Sequence, residues 1–110
     1  MEKLALRDIF ARMVAHKGEP SAGDARDAAI LIADDSRTVV RALQLMLERE
    51  GFLTYSAFDG EQAVALTRRH QPDLVLMDIV MPNMNGFEAT RALVNDPQTA
   101  AIPIIMVSGS

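Results

Sequence analysis

The chain has 110 residues, a formal net charge of −4, 49% hydrophobic and 24% charged residues, and neither cysteine nor tryptophan. That length gives one small domain able to bury about two-thirds of its unfolded surface without staples. The absence of cysteine excludes disulfide frameworks, thiol nucleophiles and cysteine-based zinc or iron–sulfur sites. The longest run of Ala, Val, Ile, Leu and Met spans residues 28–33, far short of the roughly 20 that a membrane span needs. Acids among the apolar residues of MEKLALRDIFARM are wrong for a secretory signal. A mild acidic excess without a basic tract argues against nucleic acid as a direct partner. The expectation is a soluble, cytoplasmic domain.

Between residues 2 and 17, Leu6, Ile9, Phe10, Met13 and Val14 recur at offsets of three and four, which predicts an amphipathic packing or dimerising helix over residues 1–18. KGEPSAGDARD then mixes Gly, Pro, Ser and charge without a period and reads as a linker over residues 19–28. The apolar run Ala29–Ala33 predicts a strand covered on both faces. Asp34, Asp35 and Ser36 follow, any of which can cap the next helix. Val39, Val40, Leu43, Met46 and Leu47 mark that helix, and Gly51 stops it. Leu53–Ala57 is the second strand. Asp59 and Gln62 have capping-box spacing and open a helix through Ala63, Val64 and Leu66 towards His70, broken by Gln71-Pro72. Residues 74–77 are a third buried strand ending on Asp78. The loop IVMPNMNG leads to a helix from Phe87 to about Val94, and residues 102–107 form the fourth strand. His16 and His70, at polar helix ends, read as solvated surface, and Arg68-Arg69 suits a helix C-terminus.

Four strands alternating with three helices predict an α/β fold, a parallel sheet with right-handed crossovers. Ligands of such sheets sit at the carboxyl ends of the strands, where strand order reverses. Asp34 and Asp35 end the first strand and Asp78 ends the third. If those strands are neighbours, the carboxylates converge and raise one another's pKa. A hard divalent cation with oxygen ligands, Mg²⁺ in particular, relieves that repulsion. Ser108 ends the fourth strand, where its hydroxyl could donate to an oxyanion at the same edge.

The segments ILIADDS (30–36), LVLMDIVMPNMNG (74–86) and IPIIMVSGS (102–110) strongly resemble the receiver domain of bacterial two-component response regulators, over residues 29–110. The resemblance implies a flavodoxin-like doubly wound sheet and a signalling module, not an enzyme. Asp78 would be the phosphoacceptor, taking a phosphoryl group from a histidine of a sensor kinase or phosphotransfer protein. Asp35 would ligate Mg²⁺ directly and Asp34 mainly through water, with the Val80 backbone carbonyl completing the protein ligands. Ser108 would be the switch hydroxyl that bonds the phosphoryl oxygens. Val80 stands where haloacid-dehalogenase-like phosphatases place a second Asp, which argues against fast hydrolytic turnover.

The family's pattern has five βα units, and residues 29–110 carry four of the five strands. Lys3 and Lys17, the only lysines, do not match the family's lysine at the end of strand five. Strand four would then be an open edge, which invites pairing with another chain. A homodimer, another homo-oligomer or a strand-exchanged dimer is therefore expected, or docking of residues 1–18 in place of the fifth helix. The alternative function is a phosphorylation-independent interaction or dimerisation module. The retained acids favour the phosphoacceptor.

Overall fold

A computed structural model of the chain describes residues 28–107; the helix expected over residues 1–18, with His16, the linker residues 19–27 and Ser108 lie outside them. Seven elements alternate along the described chain: β1 (Ala29–Ala33), α1 (Arg37–Arg49), β2 (Leu53–Ala57), α2 (Gly60–His70), β3 (Leu74–Asp78), α3 (Gly86–Val94) and β4 (Ile104–Val107). The strands form one parallel sheet in the order β2-β1-β3-β4. This is the doubly wound arrangement expected, and strand order reverses between β1 and β3.

β1 and β3 are buried along their whole length because helices cover both faces of the sheet. Side chains alternate across the strands. Ile30, Ile32, Leu74 and Leu76 point to one face and pack with Val40 and Leu47 of α1. Leu31, Ala33, Val75 and Met77 point to the other, against Ala63 and Val64 of α2 and Ala89 and Leu93 of α3. Ile30, Leu31 and Ile32 are at most 1% exposed, and burying each contributes about 1.5–3 kcal/mol. The apolar stripe of α1 is wider than the face it buries. Val40 and Leu47 meet the sheet, whereas Val39 and Met46, one residue earlier and about 100° around the helix, stay exposed.

Local hydrogen bonds set the helix starts. Ser36, not Asp34 or Asp35, caps α1: its Oγ accepts from the Val39 N–H at 3.3 Å. Asp34 Oδ1 accepts from the Ser36 N–H at 2.8 Å. Asp59 caps α2 through the Gln62 N–H, but the Gln62 side chain reaches back to the Phe58 N–H instead of the cap's own, at 2.9 Å. The full capping box belongs to α3. There Asn85 Oδ1 accepts from the Glu88 N–H and Glu88 Oε1 from the Asn85 N–H, both at 2.9 Å, so the helix begins at Gly86.

Three further local expectations change. β4 begins at Ile104, two residues later than its apolar run, because Pro103 has no N–H to place in the ladder. The Pro103 carbonyl still accepts from the Val75 N–H at 3.0 Å, and Ile102 is buried in the core beside α3. Ala28, read as the end of the linker, is buried, and its carbonyl accepts from the Leu53 N–H at 2.9 Å. His70 is not solvated surface. Its ring is half-buried and stacks on Tyr55 of β2 at 4.1 Å and 11°, since α2 crosses that strand.

Candidate functional site

Strand register brings the acids together. β1 pairs Ala33 with Met77 of β3, so Asp34 and Asp78, one residue further along each strand, stand level. The Asp34 N–H donates to the Ala57 carbonyl at 3.0 Å, which carries the β1–β2 ladder one residue past the strand. Asp78 ends β3 and pairs with Val107 of β4. Carboxylate oxygens of Asp34, Asp35 and Asp78 lie within 4.8 Å of one another. The three metal-site acids expected from the sequence are therefore one cluster. Val80 stands two residues beyond Asp78 on the same loop.

Each acid of the cluster has a different environment. Asp35 is exposed, Asp34 is half-buried with one oxygen held by the Ser36 N–H, and Asp78 is only 6% exposed. Asp78 Oδ1 is buried with no hydrogen-bond partner. Burial chiefly, then the negative charge of Asp34, raises the Asp78 carboxyl above its usual value of 3.8, and Asp35 adds to the push. The nearby backbone N–H groups of Ile79 and Val80 partly oppose it. A buried polar atom without a partner costs about 1–3 kcal/mol. A small cation taking oxygen ligands removes that cost and the mutual repulsion together, so the donor set fits Mg²⁺.

The loop after Asp78 is closed at its base and tied at its tip. At the base the Gly86 N–H donates to the Ile79 carbonyl at 2.8 Å. A Cβ on Gly86 would stand 2.1 Å from the Asp78 carbonyl oxygen, so only glycine permits this approach. At the tip Asn83 adopts φ 68°, a left-handed conformation that Asn tolerates. Its Nδ2 donates to Asp59 Oδ2 at 2.8 Å, and the Gly60 N–H donates to the Met84 carbonyl at 2.9 Å. The Gln62 N–H and the Asn83 amide together lower the Asp59 carboxyl below 3.8. The sequence marked Asp59 only as a helix cap and passed over Asn83. The Asn beside Pro82, a residue type suited to a left-handed turn, was the available signal. Arg37 was also missed: it opens α1 with its guanidinium 4.1 Å from the Phe58 ring centroid.

Among the described residues no helix is long and apolar enough to cross a membrane. The chain matches the family model of the response regulator receiver domain over residues 30–110. It is 53% identical over 81 residues to protein PilH of Pseudomonas aeruginosa, covering 74% of this chain and 67% of PilH. It is also similar to the N-terminal domain of a response regulator receiver protein from Methanoculleus marisnigri, with 41% identity and a TM-score of 0.69 over 71% of this chain and 63% of that one. A chain of the CheX–CheY–BeF3–Mg²⁺ complex from Borrelia burgdorferi aligns with 33% identity and a TM-score of 0.66, over 74% and 61%. The present chain thus spans about two-thirds of the length of these relatives. Sheet order, acidic cluster and the matched residues 30–110 agree, and the chain belongs to the response regulator receiver domain family of two-component signalling.

Proposed function

We propose that Asp78 accepts a phosphoryl group from a histidine of a sensor kinase or phosphotransfer protein, with Mg²⁺ held beside it, and that the phosphorylated domain signals through protein contacts in the cytoplasm. The observation that carries this reading is the buried, unpartnered Asp78 Oδ1, level with Asp34 and within the three-carboxylate cluster. An oxygen lacking a partner inside a cluster of like charge is arranged for a cation or a covalent acceptor role, not for stability. The solved relative from Borrelia burgdorferi is a complex with BeF3 and Mg²⁺, a phosphoryl mimic and the ion inferred here.

In the transfer, a carboxylate oxygen of Asp78 attacks phosphorus and forms the new P–O bond. The P–N bond to the donor imidazole breaks, its electron pair returns to the ring nitrogen, and the ring takes one proton from solvent as it leaves. The product is an acyl phosphate, and the donor histidine is left neutral. Asp35 and the Val80 carbonyl would hold the ion together with Asp78, and Asp34 would act mainly through a water. Bound there, the ion would offset the negative charge of the transferring group. Ser108 would donate its hydroxyl to the phosphoryl oxygens. The Val80 side chain offers neither acid nor base to a hydrolytic water, so the acyl phosphate would persist long enough to signal.

Incubating the chain with Mg²⁺ and a small phosphoryl donor such as phosphoramidate should add one phosphoryl group, read by intact-protein mass spectrometry. Asp78→Asn should abolish the addition. Equal labelling of that variant, or none of the wild type while it remains folded, would overturn the assignment.

A further inference from the structure

We propose that the hydrogen bond between Asn83 and Asp59 is a strut that holds the 79–85 loop in its metal-binding shape, which makes both of them positioning residues for the Asp78 site. The inference rests on the reading of Asp34, Asp35, Asp78 and the Val80 carbonyl as an Mg²⁺ site, and it adds residues outside that site.

The argument begins at Val80. Val80 is 73% exposed, so no packing of its own fixes the carbonyl assigned to the ion. Its placement depends on what holds the loop on either side. The Gly86–Ile79 hydrogen bond closes the base, and Met81 is buried in the core at 7% exposure. Beyond Met81 the chain turns outward through Pro82 and Asn83, both exposed. Two bonds return the tip to the start of α2: Asn83 Nδ2 to Asp59 Oδ2 at 2.8 Å, and the Gly60 N–H to the Met84 carbonyl at 2.9 Å.

Asp59 is a rigid post for this purpose. Its other oxygen, Oδ1, is taken by the Gln62 N–H at 2.8 Å, and α2 behind it buries Ala63, Val64 and Thr67. One carboxylate therefore caps a packed helix with one oxygen and ties the loop with the other. The backbone contact beside it needs glycine, since a Cβ on Gly60 would stand 2.1 Å from the Met84 carbonyl oxygen. Mg²⁺ demands near-ideal octahedral geometry and tolerates little displacement of a ligand. A loosened tip would have to be ordered again on binding, and that cost appears as lost affinity rather than lost fold.

The variants separate these effects. Asn83→Gly removes the amide and keeps a residue suited to the left-handed backbone, and Asp59→Ser keeps a good helix cap but withdraws the second oxygen. Mg²⁺ affinity of the 110-residue chain is measured by isothermal titration calorimetry, and metal-free melting by circular dichroism in EDTA. Each single variant should weaken Mg²⁺ binding roughly fivefold, and the double variant no further than either, the signature of one shared contact. Metal-free melting of Asn83→Gly should stay within about 2 °C of the wild type. Asp59→Asn, which can still bond a turned Asn83 amide, should restore most of the affinity. Unchanged affinity in the single variants, or losses that simply add, would overturn the strut. A folded wild type that fails to bind Mg²⁺ would instead overturn the metal reading itself, and the strut with it.

Discussion

Burial and the charge of Asp34 raise the Asp78 carboxyl, so the folded chain holds that proton more tightly than the unfolded one. The metal-free fold is therefore penalised as pH rises from the unperturbed 3.8 through the raised folded value, and the full penalty remains at neutrality. Asp78→Asn removes the charge. In EDTA at pH 7 it should melt a few degrees above the wild type, and the difference should vanish below the unfolded pKa. A variant no more stable at pH 7 would contradict the account of the site. Asp59 has the opposite sign: its lowered carboxyl stabilises above 3.8, and that contribution is lost as pH falls through the folded value. Gly86→Ala drives a Cβ into the Asp78 carbonyl oxygen and should cost about 1–3 kcal/mol in urea unfolding. The three acids were legible as candidates because each follows an apolar strand in a contiguous motif. The partnership of Asn83 with Asp59 was not, since 24 residues separate them and no local pattern links them.

The helices differ in how their ends are secured. Asn85 and Glu88 satisfy two backbone donors reciprocally, at 2.9 Å each, whereas the single Ser36 bond to Val39 is longer, at 3.3 Å. Asn85→Ala should therefore cost about 1–2 kcal/mol and Ser36→Ala about 0.5 kcal/mol, compared by urea titration. The reverse order would show that capping geometry does not decide these termini. Strand and helix spans were legible because period-2 and period-3.6 patterns, caps and breakers are local. The start of β4 was misread because apolarity does not record that Pro103 lacks an N–H. His70 was misread because its stacking partner, Tyr55, lies on another element.

Among the described residues β4 has a strand neighbour on one side only, and Val107 is 42% exposed. Local pattern was enough to establish an α/β chain of alternating elements with acids at strand ends, because each of those signals is carried by neighbouring residues. Strand order was another matter. Setting β1 beside β3, with Ala33 level with Met77, is what converts dispersed aspartates into one cluster. The unpartnered Asp78 oxygen, its raised pKa and the Asn83–Asp59 tie follow from burial and contacts between residues distant in sequence, and those exist only once the sheet and its helices pack.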